Sequence, residues 1–199
     1  MVFDVRNQQE VQNAINSLPE DWKNIDVLVN NAGNAHGLEP ISDANISDWD
    51  AVMDGNVKGL LYVSQPIIKL MKANNSGHIV NISSVAARQT YANGTVYCAS
   101  KKAVDVISEG MRLELTEFGI KVTNLQPGLT ETDFSKVRFK GDEERAKTVY
   151  QGFQALKPTD IADAISYCIH APKHVCISDL TIYPRAQAES RTVYKNAGL

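Results

Sequence analysis

The sequence predicts an α/β fold in three layers, with a parallel sheet carrying helices on both faces. Three observations predict it. Short runs rich in Val, Ile and Leu recur along the chain, longer stretches with helical spacing separate them, and Gly or Pro marks most junctions. Strands covered on both faces read as continuous apolar runs, and strand–helix–strand alternation returns each strand parallel to the last.

In chain order, "NQQEVQNAINSLP" (7–19) is a helix opened by the cap residue Asn7 and stopped at Pro19. "IDVLVNNAG" (25–33) is a buried strand ending in a glycine turn. A long amphipathic helix spans about 47–74, and Pro66, which lacks an N–H, should bend it. "SGHIVNISSV" (76–85) is the second strand. A helix over about 95–118 carries Ala99, Ala103, Val106 and Ile107 on one side. "GIKVTNLQPG" (119–128) is a strand closed by Pro-Gly, "KPTDIADAISYCIHAP" (157–172) a helix, and "SDLTIYP" (178–184) the last strand. The polar segment 133–156 interrupts the alternation just past a strand end, where open α/β sheets bind ligands, which points to a substrate lid. Its plainer reading is a solvated pair of surface helices.

At 199 residues, 43% hydrophobic and 22% charged, the chain is one ordinary globular domain, 1–199. A net charge of −3 gives no general basic face for nucleic acid or anionic lipid. No run approaches the roughly 20 apolar residues of a membrane span, and the N-terminus lacks the basic and apolar regions of a leader. Cys98, Cys168 and Cys176 match no metal spacing and read as reduced thiols of a cytoplasmic protein, so no metal is expected.

The chemistry gathers around "NGTVYCASKKAV". Tyr97 and Lys101 stand four residues apart on the predicted 95–118 helix and so share a face. A cation beside a phenol favours tyrosinate and makes the phenol a usable general acid/base. Ser84 lies thirteen residues before Tyr97 at a strand end. Ser83 is the rival hydroxyl, and the spacing favours Ser84. Asn56 in "GNVKG", the "NNAG" turn (30–33) and Pro127-Gly128 complete the set.

In order and spacing, "IDVLVNNAG", "GNVKG", "IVNISSVA", "YCASK" and "LQPGLTETDF" resemble the short-chain dehydrogenase/reductases across essentially the whole chain. "SLPEDWKNIDVLVNNAG", "FSKVRFKGDEERAKTVYQ" and "TIYPRAQA" are similar to the NADP-dependent 3-hydroxy acid dehydrogenases, which oxidise serine, allo-threonine and related acids. The resemblance implies a Rossmann-type sheet, NADP as cofactor and a homo-oligomer, tetramer or dimer, joined through the helices at about 47–74 and 95–118. It implies that Tyr97 moves the hydroxyl proton, Lys101 lowers the phenol pKa and holds the nicotinamide ribose, Ser84 steadies the substrate oxygen, and Asn56 holds a relay water. It places Asn30, Ala32 and Gly33 along the adenosine side of the cleft and Asp4 and Val5 at the adenine. Pro127, Gly128, Thr130 and Thr132 fall near the nicotinamide. Plainer readings make Asn56 a helix polar residue, Asp4 a helix-leading acid and Thr132 a turn residue. For a substrate carboxylate, Arg88 and Arg138 are the candidate partners, since arginine presents a planar fork. Both also read as surface arginines.

The family's opening Gly-rich strand–turn–helix has no counterpart, because Gly33 is the first glycine. "MVFDV" matches the family's third strand, so two strands and two helices, roughly 50–60 residues, are expected to be missing. A strand at 2–5 then either stands about 14 Å from the strand at 25–30 or moves in beside it, and the edge at 25–30 is apolar and prone to association. NADP follows here from the subgroup and from no basic residue present. Two readings stand: an NADP-dependent 3-hydroxy acid dehydrogenase of which this is a portion, or a truncated, inactive chain surviving as an assembly partner. A third keeps the enzyme class and changes the substrate to another carbonyl or alcohol.

Overall fold

In the computed structural model, which describes residues 1–195, four parallel strands form one sheet in the order β1 (Val27–Asn30), β2 (Gly77–Ile82), β3 (Ile120–Pro127), β4 (Asp179–Ile182). Each crossover carries helix: α2 (Ile46–Met53) and α3 (Leu60–Asn74) after β1, α4 (Thr95–Leu115) after β2, and α5 (Phe134–Arg138), α6 (Glu143–Thr148) and α7 (Pro158–Ile169) after β3. α1 (Gln8–Asn16) precedes the sheet and packs on α3. Asn7 caps α1, its side chain accepting from the amides of Gln9 and Glu10. Among the described residues no helix is long and apolar enough to cross a membrane.

The core lies between the sheet and α1, α3 and α4, with Val11, Ile15, Leu60, Ile67, Met71, Ile79, Val104, Met111 and Leu115 buried together. The packed stripe of α4 is Cys98, Lys101, Val104, Ser108, Met111 and Leu115, at helical spacing. The side carrying Ala99 and Val106 faces outward instead, and Val106 is 59% exposed.

One polar row crosses the whole sheet, buried at three strands and exposed at the last. Asn30, Asn81, Asn124 and Asp179 are register partners on successive strands. Asn30 donates to Asn81 Oδ1 (2.8 Å) and to Ser64 of α3 (2.8 Å), and Asn81 donates to Ser108 of α4 (2.9 Å). Asn124 donates to Asp105 of α4 (2.9 Å) and Asp179 (3.0 Å). Each amide nitrogen of the row has a partner, since an unpaired buried polar group costs about 1–3 kcal/mol; Asn124 Oδ1 is the one buried amide oxygen of the row left without one. The row pins both helices to the sheet just below the strand ends where the site stands.

Two expectations are corrected. Residues 2–5 form no strand. A strand exists through its ladder partners, and this segment finds none; Phe3 packs partly against the core while Val2 stays fully exposed. β1 is therefore the sheet edge, and its Val29 is 38% exposed. The irregularity of the 47–74 helix falls elsewhere than Pro66, which lies inside α3. The winding opens into a π turn over Asp54–Gly59, where Gly59 gives Val5 room that a Cβ would close to 2.9 Å.

Candidate active site

β2 ends at Ile82, and the extended chain beyond it turns Ser83 and Ser84 to opposite sides. Ser83 is buried behind the site, donating to the Lys101 carbonyl (3.0 Å) and to Asp105 (2.8 Å). Ser84 faces Tyr97 and hydrogen-bonds its phenol. The same hydroxyl accepts from the Ala86 amide (3.1 Å), which fixes its rotamer.

Tyr97 and Lys101 lie one turn apart on α4, as the spacing requires. Burial pushes the Tyr97 phenol well above its ordinary pKa, opposed by the Ser84 hydrogen bond and by Arg138. Arg138, 5.5 Å from the centre of the Tyr97 ring, is a second cation near the phenol besides Lys101. Lys101 donates to the Ile82 carbonyl at 2.9 Å. Its own burial lowers its pKa to about 8, against the pull of Asp105.

The loop after β1 forms the opposite wall. Asn31, Ala32 and Gly33 are exposed. A Cβ at Gly33 would lie 3.0 Å from Asn56 Oδ1 and 3.2 Å from Lys101 Nζ, so only glycine lets this backbone stand so close. Asn56, placed by the π turn and 1% exposed, ties the loop down. It accepts from the Asn34 amide (2.8 Å) and donates to the Asn34 carbonyl (2.8 Å) and Ser100 (3.0 Å). The Asn30 side chain does not line this wall, because its amide is taken up by the buried row.

At the end of β3, Gly128 is pressed by the 184–187 turn; a Cβ there would meet Pro184 at 2.9 Å and crowd Gln187. Leu129 N donates to Gln187 Oε1 (2.8 Å). Thr130 donates to the Gly128 carbonyl (3.1 Å), and Thr132 accepts from the Phe134 amide (3.1 Å) at the start of α5. Thr132 thus acts as a turn residue. Pro127 closes the strand.

α5 lies on the site. Phe134 meets the Tyr97 ring at 5.5 Å between centroids. Arg138 is 8% exposed, donating from Nε to the Gly37 carbonyl (3.1 Å) and from Nη1 to the Tyr91 hydroxyl (2.9 Å). Arg88 is not beside it. The short 3₁₀ turn after Ser84 carries its guanidinium to Thr181 (3.0 Å) and toward Gln126 (3.5 Å). Asp4 is paired with Arg6 at 2.6 Å, which holds its carboxyl down at about 2, and it borders an open cavity of about 750 Å³ with Asn7, Gln12 and Asp54. Tyr91 and Gly37 went unnoticed in the sequence. They meet Arg138 only through the fold, at 47 and 101 residues' separation.

A phenol, a serine hydroxyl and a buried amine in one cleft can hold an oxygen and move its proton. The comparisons agree with that chemistry. The model of the short chain dehydrogenase family matches residues 1–143. A "Probable NADP-dependent dehydrogenase" of Haemophilus influenzae is 42% identical over 189 residues, covering 94% of this chain and 75% of that protein. The NADP-dependent 3-hydroxy acid dehydrogenase of Escherichia coli K12 is 42% identical over 187 residues, with coverages of 94% and 75%. Among solved structures, the closed form of a serine dehydrogenase complexed with NADP⁺ superposes with a TM-score of 0.93 at 42% identity, covering 94% of this chain and 76% of that one. Serine dehydrogenase from Escherichia coli superposes with a TM-score of 0.80 at 36% identity, with coverages of 94% and 76%. With its parallel sheet, its Ser84–Tyr97–Lys101 cleft and a match over most of its length, this chain belongs to the short chain dehydrogenase family.

Proposed function

We propose that the chain carries the site of an NADP-dependent oxidoreductase that transfers hydride to or from the 3-hydroxyl carbon of a small 3-hydroxy acid such as serine. The observation that carries this reading is the grouping of Ser84, Tyr97 and Lys101 across from the glycine-cleared wall at Gly33, with Arg138 buried at its mouth. The residues present fit the nicotinamide end of the cofactor. Lys101 donates once to protein, at the Ile82 carbonyl, and keeps its other N–H groups for ribose hydroxyls; Asn34 Oδ1 is buried without a protein partner. The nicotinamide, when bound, supplies the hydride acceptor or donor.

The chain's own residues handle the oxygen and the proton. Ser84 holds the substrate oxygen against Tyr97 and stabilises charge developing on it. Tyr97 takes the hydroxyl proton in oxidation and returns it in reduction. Lys101 holds the ribose, and Asn56 fixes the loop that faces it. Gly33→Ala is expected to push Lys101 and Asn56 aside and weaken NADPH binding by about tenfold, roughly 1.4 kcal/mol, read by fluorescence titration; unchanged binding would remove Gly33 from the cofactor wall.

Arg138 receives the substrate carboxylate, and 133–156 acts as the lid that carries it. Outward-facing Val106, Leu113 and Leu61 on α4 and α3 support a homo-oligomer built through those helices. The test combines NADPH titration with L-serine oxidation. Saturable binding and turnover are expected, and Arg138→Ala should raise KM for serine about 10- to 100-fold, the range of a lost charged hydrogen bond. KM for NADP should stay nearly unchanged. Equal effects on both would sink the carboxylate assignment, and no NADPH binding would sink the whole reading.

A further inference from the structure

Tyr91 is unassigned by the chemistry above, yet it is built into the mouth of the site. Its hydroxyl accepts from Arg138 Nη1 at 2.9 Å while the Gly37 carbonyl accepts from Nε at 3.1 Å. The guanidinium lies between two aromatic rings, 5.6 Å from the centroid of Tyr91 and 5.5 Å from that of Tyr97. Tyr91 is steadied in turn by Arg191, 5.0 Å from its centroid. It also rests on Gly94, where a Cβ would collide with the Tyr91 ring. Two further contacts hold α5 to the same wall. Gly37 N donates to the Arg138 carbonyl (2.9 Å), and Lys140 pairs with Asp48 of α2 (2.8 Å).

We propose that Tyr91 is a positioning residue which, with the Gly37 carbonyl, latches Arg138 across the mouth of the site and thereby sets both the closure of the 133–156 segment and the recognition of a substrate carboxylate. The second half rests on the function proposed above. Arginine carries five N–H donors in a planar fork. With Nε and Nη1 held by protein, the plane is fixed and the Nη2 edge is left to meet an anion. The cavity bounded by Arg138, Tyr97, Trp49 and the 36–44 loop is only about 20 Å³, room for about one water. An acid therefore enters when α5 lifts, and the Tyr91 hydroxyl is part of what draws it back. The groups facing the guanidinium are the two phenols, the Gly37 carbonyl and, across Tyr91, Arg191. No carboxylate is paired with it among the described residues, which leaves its charge for the ligand.

The test is Tyr91→Phe in the full chain, which keeps the ring and removes the hydroxyl. Limited trypsin digestion reads the latch directly at Lys136, Arg138 and Lys140, whatever the substrate. Cleavage there should quicken about fivefold, and KM for L-serine should rise about tenfold, as expected for one lost hydrogen bond to a charged group. KM for NADP, and KM for the uncharged methyl ester of 3-hydroxypropionate, should stay within about twofold. Arg138→Lys, which keeps the charge and loses the fork, should reproduce the faster cleavage. Wild-type digestion of Tyr91→Phe would overturn the latch. Faster digestion with unchanged serine KM, in an enzyme that oxidises serine, would overturn its role in recognition. A wild type that binds NADPH but oxidises no 3-hydroxy acid would overturn the substrate reading, and the digestion would still decide the latch.

Discussion

Tyr97→Phe lowers kcat for serine oxidation by about 10³-fold, within the range removed with a general acid/base, and leaves NADPH binding within about twofold. The variant isolates the proton. Its ring keeps the contact with Phe134 at 5.5 Å and the place beneath Arg138. What goes is the one phenolic O–H held by Ser84. Because burial raises the phenol pKa, wild-type oxidation should climb with pH over the alkaline range as tyrosinate becomes available, and the variant should lose that limb. A variant retaining a tenth or more of wild-type kcat would remove Tyr97 from the proton transfer.

Lys101→Met abolishes turnover and makes the cofactor-free chain more stable near neutral pH. Burial lowers the folded-state pKa from 10.5 to about 8. At about 1.4 kcal/mol per unit, keeping this ammonium charged in place disfavours folding by roughly 3 kcal/mol. Losing its bond to the Ile82 carbonyl returns about 1 kcal/mol, for a net gain of about 2 kcal/mol in the variant. The pH dependence fixes the sign. Below pH 8 the lysine is protonated in both folded and unfolded chains, and the full penalty stands. From about pH 8 toward 10.5 the folded chain gives up its proton while the unfolded chain keeps it, so wild-type stability rises. Denaturant titrations should therefore show the variant's advantage near pH 7 shrinking by about pH 9.5. A variant less stable than wild type at pH 7 would mean that the Ile82 bond outweighs the desolvation of the amine. Stability given up at an active site for an activated group is a common exchange.

Much of the site was legible because its signals are local. The four-residue step from Tyr97 to Lys101 becomes a shared helix face through helical geometry alone. The choice of Ser84 over Ser83 rested on the thirteen-residue spacing to Tyr97; in the structure Ser83 faces Asp105 while Ser84 lies by the phenol. Arg138 could be nominated by residue type alone. Its partners could not, since Gly37 and Tyr91 sit far away in the chain and come together only when α5 folds back over the β1 and β2 loops.

Elsewhere, a sequence read one segment at a time misled. Asn30 looks like a cleft residue at a strand end, yet its amide serves Asn81 and Ser64. Only the register of neighbouring strands reveals that row, and register is a property of pairs. Residues 2–5 match the family's third strand without forming one, because a matching segment supplies propensity and pairing supplies the ladder. Arg88 stands four residues from Ser84, but a 3₁₀ turn rather than an α-helix sends it to Thr181. Of the apolar side read on the 95–118 helix, Ala99 and Val106 face outward while Ile107 packs against the core, since spacing marks a face without saying which neighbour covers it.

The sequence by itself determined the parallel α/β class, the four strands and the helices between them, and the Ser84–Tyr97–Lys101 set, because period, turn chemistry and one-turn spacing act over a few residues. The tertiary structure alone decided which arginine stands over Tyr97, where the helix widens to seat Asn56, and how the Asn30–Asp179 row pins helices to sheet. These depend on burial and on contacts between distant segments, and both come into being only when the chain closes on itself.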